Sequence, residues 1–231
     1  MLQLVLVTLL AGVVVVGAIV LSSNGGDETG TATNEPGSPP AEDVLAIYDG
    51  IPQKNLRLGK ADAPATLVEI ADLQCPFCAQ YSIEVLPTIV QDYVRTDRVN
   101  YELHFRSFLG RDSVRAAGAA AAAAKQNLMY QFADIFYRNQ GPENSDYADD
   151  AFMRMVAEQV PGLDVDAVVA AADDPLAQPA VERGEMFARE IGSTSTPDLY
   201  LRKDGQLTKI EPPGATAADY SAAIDAALGA K

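Results

Sequence analysis

A chain of 231 residues has room for one domain or two, and a hydrophobic fraction of 48% supplies a packed core and excludes a disordered polypeptide. The formal net charge of -15 repels phosphates, which excludes nucleic acid as a partner, and reads as a solvated acidic surface. Acidic residues are plentiful, but none falls at a spacing that singles out a general acid and base, so nothing supports a glycosidase or an aspartic protease.

The first predicted element is apolar. Residues 2–21, "LQLVLVTLLAGVVVVGAIVL", carry no charge. As a helix rising about 1.5 Å per residue they span about 30 Å, the thickness of a hydrocarbon core. No Lys or Arg precedes Lys54 and no A-x-A site follows the run. An uncleaved membrane anchor is therefore favoured over a cleaved signal peptide or a buried core helix. Asp27, Glu28, Glu35, Glu42 and Asp43 follow it, which favours the N-terminus inside and the rest outside. Either an anchor or a signal exports the remainder to a compartment where disulfides persist. Residues 22–44 then read as a flexible linker. From Ser22 to Ala41 they are rich in Gly, Ser, Thr and Pro and have no large apolar residue to offset the entropy of ordering. Residues 45–231 are the expected folded domain.

"ATLVEIA" (Ala65–Ala71) is short, apolar and β-branched, and predicts a buried strand. "CPFCAQYSIEVLPTIVQDYV" follows with helical spacing; Pro76 suits a first turn and Pro87 predicts a kink. "VNYELHFRSF" alternates and predicts a second strand. A helical stretch is expected from about 112 to 191, with breaks near Gly141-Pro142, Pro161-Gly162 and Pro175. Its alanine run, Ala116 to Ala124 interrupted only by Gly118, reads as a close-packed helix face. "DLYLR" and "QLTKIE" predict two strands around the turn Lys203-Asp204-Gly205, and a last helix is expected from about Ala217 to Leu228.

The chain has two cysteines, Cys75 and Cys78, in "ADLQCPFCAQYS". The strand-to-helix reading puts Cys75 at the mouth of a helix and Cys78 one turn inside, on the same face. The partial positive charge and free N–H groups of a helix N-terminus favour Cys75 as a thiolate, the attacking form, and leave Cys78 as the resolving thiol. A structural staple is a poor reading, because chain entropy gives so short a loop about 2 kcal/mol, against about 4.7 for a loop of about 100 residues. Zinc needs four ligands, and the only further candidate is His104, which alternation places within a strand. A carrier of a soft metal on two thiolates stays open.

The run "LGKADAPATLVEIADLQCPFC", the "HFRSF" strand with the alanine-rich helix after it, and the segment "GSTSTPDLYL" together resemble DsbA-like thiol–disulfide oxidoreductases. The resemblance extends from about Leu45 to the end and leaves out the anchor and linker. It implies an α/β thioredoxin fold with a helical insertion at about 112–191, and no cofactor. On that resemblance Cys75 is the nucleophile that forms a mixed disulfide with a client, and Cys78 resolves it. Pro76 and Phe77 are the dipeptide between them, and Thr196-Pro197 is the cis-proline loop that faces the cysteines and pairs with client backbone. Glu69, six residues before Cys75, stands where this fold places a buried acid able to relay the proton of the second thiol. Asp72, nearer the helix, is expected to interact with the helix N-terminus.

The implied partners are reduced or unfolded exported proteins and a membrane redox partner that reoxidises the pair. No dimerisation domain is evident, so a monomer is expected, attached to the cell membrane with its catalytic domain extracytoplasmic. The expected direction is oxidation of clients; a reductase or isomerase of the same fold is the alternative within this class. The strongest oxidants of the family carry His between the cysteines, a positive charge that Phe77 cannot supply. Phe77 offers apolar surface instead, and predicts an oxidant milder than a C-P-H-C enzyme, with a potential below about -120 mV.

Overall fold

The computed structural model describes residue 42 and residues 45–229. The anchor expected at 1–21, and all of the linker at 22–44 except residue 42, lie outside them. No helix among the described residues is long and apolar enough to cross a membrane.

Six strands, β1 (Gln53–Lys54), β2 (Arg57–Leu58), β3 (Thr66–Ala71), β4 (Asn100–Phe105), β5 (Asp198–Lys203) and β6 (Gln206–Ile210), form one sheet in the order β1-β2-β4-β3-β5-β6. β3 (Thr66–Ala71) lies at its centre, parallel to β4 (Asn100–Phe105) and antiparallel to β5 (Asp198–Lys203). Its near-continuous apolar run is explained by position, since a central strand is covered on both faces. The register sets the two faces by the period of two. Leu67, Glu69 and Ala71 share one face with Tyr101, Leu103 and Phe105 of β4 and with Leu199 and Leu201 of β5. Val68, Ile70, His104 and Tyr200 share the other. There Val68, Ile70 and Tyr200 pack against Ala188 of a helix described below.

β5 and β6 (Gln206–Ile210) form the expected hairpin. Asp204 and Gly205 have φ of 52° and 78°, the left-handed pair that a two-residue hairpin turn requires. β1 (Gln53–Lys54) and β2 (Arg57–Leu58) form an additional hairpin on the edge of β4. The sequence reading missed it because strands of two residues carry no periodic signal.

The first helix, α1 (Pro76–Glu84), stops at Val85; α2 (Leu86–Ile89) continues from it into a wide turn over Val90–Val94. The interruption falls just before Pro87, which has no N–H for the carbonyl one turn earlier. Between β4 and β5 lie five helices, α3 (Arg111–Lys125), α4 (Met129–Arg138), α5 (Asp150–Glu158), α6 (Val165–Ala172) and α7 (Gln178–Glu190). The three expected breaks fall between α4 and α5, α5 and α6, and α6 and α7. A fourth, between α3 and α4, is additional. Asn127 sits there at φ 60°, with its N–H on Ala124 O and that of Leu128 on Ala123 O. That is a left-handed helix cap made by Asn where Gly is usual, so no Gly or Pro marks it in the sequence. The alanine run is buried nearly all round in α3, wedged among α4, α6 and α7. α8 (Ala217–Gly229) closes the chain against β5 and β6.

Candidate active site

β3 delivers the chain to the site. After Ala71 a tight turn, closed by the Cys75 N–H on Asp72 O at 3.0 Å, places Cys75 as the extended residue that opens α1, with Pro76 as its first helical residue. The N–H groups of Cys78 and Ala79 both bond Cys75 O at 3.1 Å, which fixes Cys78 one turn in. The two cysteines are free thiols of unequal access, Cys75 5% exposed and Cys78 wholly covered.

The loop before β5 arrives from far along the chain. Thr196-Pro197 is a cis peptide, and the Cys75 thiol donates to Thr196 O at 3.4 Å. The residues expected to meet thus do meet: Cys75, Cys78, Thr196 and Pro197 come together. Phe77 projects beside them and is 68% exposed. It shares a cleft of about 240 Å³ with Gln80, Tyr81, Val85, Thr196, Pro197, Ala215 and Tyr220. A larger apolar cavity of about 710 Å³ between α3, α7 and β4 contains none of these residues.

The two thiols are driven apart electrostatically. The Cys78 thiol, donating to Cys75 sulfur, holds the Cys75 pKa down to about 6 against its burial. The Thr196 side chain and the N–H groups of Phe77 and Cys78 at the helix mouth add to this. Burial pushes Cys78 well above the usual thiol range, and its bond to Cys75 pushes the same way. Such a pair can attack and be attacked at Cys75 while Cys78 keeps its proton.

Glu69 is 2% exposed on the sheet face toward α1. Burial raises its pKa to about 7, the Tyr101 hydroxyl donating at 2.7 Å pulls it back, and the Cys75 charge raises it further. Glu69 in turn raises Cys78, so the three groups are electrostatically coupled. An acid of that pKa can give or take a proton near neutrality.

Asp72 differs from expectation. Only one of its bonds goes to the residue leading into the helix, the Gln74 N–H at 2.8 Å. The others come from the Ser113 hydroxyl at 2.6 Å and the N–H groups of Phe108 and Leu109 at 3.1 and 3.2 Å. Its buried carboxylate, accepting from all three, ties the loop after β4 to the start of α3. His104 lies within β4 on the face opposite Glu69, stacked on Phe187 with ring centres 4.3 Å apart. Among the described residues no group of three or more His, Cys, Asp or Glu gathers as a metal site.

Sequence reasoning missed the groups that hold the cysteine loop from outside. Gln140, just past α4, donates to Leu73 O at 2.7 Å and Cys75 O at 3.3 Å. Gln74 donates to Leu109 O and Ser113 and accepts the Asn144 N–H at 2.7 Å. Tyr101 and Tyr81 were missed as well. These contacts join residues far apart in the chain, and no local motif signals them.

A family model described as thioredoxin matches residues 52–226. A curated relative from Bacillus cereus, "Probable disulfide bond formation protein D", is 29% identical over 149 residues, covering 62% of this chain and 68% of that protein. The crystal structure of oxidised BdbD from Bacillus subtilis superposes with a TM-score of 0.66 at 20% identity, covering 78% of this chain and 98% of that one. The α-DsbA1 of Wolbachia pipientis superposes with a TM-score of 0.63 at 21% identity, covering 83% and 96%. At these identities the superpositions speak for the fold alone.

Proposed function

Because the chain belongs to the thioredoxin family, we propose that it is an extracytoplasmic thiol–disulfide oxidoreductase that introduces disulfides into exported proteins. The observation that carries this reading is the inequality of the two thiols, Cys75 near the surface with a pKa of about 6 and Cys78 buried and pushed far up. The name of the Bacillus cereus relative, a disulfide bond formation protein, supports the same reading.

In the proposed cycle a client thiolate attacks Cys75 Sγ of the Cys75–Cys78 disulfide. The S–S bond breaks, Cys78 leaves with the electron pair, and Glu69 supplies its proton. A second client thiolate then attacks the client sulfur of the mixed disulfide and expels Cys75 as a thiolate. The client loses two electrons to form its disulfide, and the cysteine pair gains them. A low pKa makes Cys75 a good leaving group and stabilises the reduced pair, which favours this direction. Thr196 and Pro197 are proposed to hold client backbone beside the sulfur, and Phe77 and Tyr220 to take an apolar client side chain in the cleft. A membrane redox partner is proposed to remove the two electrons, and residues 1–21 to anchor the chain with this domain outside.

The test is Cys78→Ala. With the resolving thiol gone, Cys75 should remain joined to clients in mixed disulfides that reductant releases. A protein that instead carried a soft metal on two thiolates would trap nothing and would lose its metal. Direction is read from the pair as it stands in its own compartment: mostly oxidised for an oxidase, mostly reduced for a reductase.

A further inference from the structure

Glu69 is buried, and each proton it exchanges with Cys78 must be replaced or removed. Its ionisation feels burial, the Tyr101 hydroxyl and Cys75, and no cation among the described residues. The Tyr101 hydroxyl donates to Glu69 Oε2 at 2.7 Å and lies 3.1 Å from the Tyr81 hydroxyl. A hydroxyl both donates and accepts, so with the Tyr101 proton committed to the carboxylate, Tyr81 is the donor of that second bond. Tyr81 lines the cleft beside Phe77 and Pro197, its ring 5.0 Å from that of Tyr220. Nearby hydroxyls lead elsewhere. Tyr130 donates to the carbonyls of Leu56 and Tyr101, and Tyr137 to that of Asp72.

We propose that Tyr101 and Tyr81 form a proton relay between Glu69 and the client cleft, returning to Cys78 the proton that the client thiol gives up. The relay rests on the oxidoreductase reading above. As the client thiolate attacks Cys75 and Cys78 leaves with the electron pair, Glu69 passes its proton to Cys78. The carboxylate so formed takes the Tyr101 proton, Tyr101 takes that of Tyr81, and Tyr81 takes one from the cleft. Each hydroxyl ends neutral, as burial demands, since both phenols are held far from ionisation. One proton crosses from cleft to Cys78, and the two electrons pass from client to disulfide.

The experiment mixes the oxidised full chain with a reduced cysteine peptide and follows mixed-disulfide formation and peptide oxidation against pH. Equilibrium with a glutathione buffer is measured alongside. Tyr81→Phe keeps the ring and the Tyr101–Glu69 bond; it should slow transfer by about ten-fold with the pH midpoint and the glutathione equilibrium unchanged. Tyr101→Phe should slow it similarly and move the midpoint up, since the carboxylate loses its donor. Tyr130→Phe, which removes a hydroxyl from the same cluster, should transfer at the wild-type rate. A Tyr81→Phe protein as fast as wild type overturns the relay, and so does one whose slower rate comes with a shifted glutathione equilibrium. If both relay variants fail to fold, wild-type transfer that slows no more than two-fold on blocking the cleft at Ala215→Trp overturns it as well. A wild-type protein that leaves the peptide reduced overturns the parent reading and the relay with it.

Discussion

Glu69 is a buried carboxyl whose charge the fold tolerates poorly. Its folded pKa of about 7 lies above the ordinary 4.5, so its contribution to stability is fully present below pH 4.5 and is lost as pH rises through about 7. The Glu69→Gln variant has no such charge. It should match wild type at about pH 4 and exceed it at pH 8 by about 3 kcal/mol, the worth of that shift. Urea denaturation of the reduced proteins at the two pH values measures the difference; equal stability at both would mean the site solvates the carboxylate. Cys75 acts in the opposite sense, its depressed pKa favouring the folded reduced protein above the ordinary thiol range and losing that effect as pH falls through about 6. The part of it that does not involve Glu69 is common to both proteins, whereas the repulsion between Cys75 and Glu69 belongs to the Glu69 shift and goes with it in Glu69→Gln. These residues were legible in the sequence to unequal degrees. Cys75, Cys78, Thr196 and Pro197 stand in two short segments whose order and residue types carry the signal, and Glu69 is fixed by its place on the strand six residues before Cys75. Tyr101, Tyr81, Gln74 and Gln140 act through packing between elements, and a tyrosine at an apolar strand position reads only as core.

At the scale of elements, Gly118 decides how closely two helices meet. A Cβ built there would lie 2.6 Å from Ala171 O of α6. Helix propensity alone gives Gly118→Ala about 1 kcal/mol of added stability. Overpacking against a backbone carbonyl that cannot swing aside opposes it, at about 1–3 kcal/mol or more. The variant should therefore lose stability despite a better helix former, seen as a lower urea midpoint with an unchanged slope. A raised midpoint would show that α3 and α6 can separate at no cost. The α3–α4 boundary shows why element limits were only partly legible. Gly and Pro mark breaks openly, whereas Asn127 makes one by tolerating a left-handed turn within the short polar stretch Lys125-Gln126-Asn127, which a helix could equally carry on an exposed face. β3, α1, β4, β5 and β6 declared themselves by periodicity and turn chemistry. The order of the sheet did not, because the parallel pairing of β3 with β4 and the antiparallel return of β5 depend on contacts that no window of sequence contains.

Across the whole molecule, charge and cleft divide the work of choosing clients. Among the described residues the cleft beside Cys75 is lined by no ionisable group other than tyrosine, which gives it no fixed charge for sorting clients at contact. The chain as a whole carries 32 acidic against 17 basic residues, and its field reaches beyond the cleft. The expected outcome is that encounter is steered before any contact forms, while chemistry at the sulfur follows at a rate indifferent to distant charge. Two reduced peptides of one core sequence, flanked by lysines or by glutamates placed well away from the cysteine, separate these effects. At about 0.01 M salt, where screening extends over about 30 Å, the basic peptide should react about ten-fold faster. At about 1 M, where it shrinks to about 3 Å, the two rates should converge to within about two-fold. A preference that persists at high salt would place the discrimination in direct contacts at the cleft, and no preference at low salt would mean that the acidic residues lie where their field does not reach the approaching thiol.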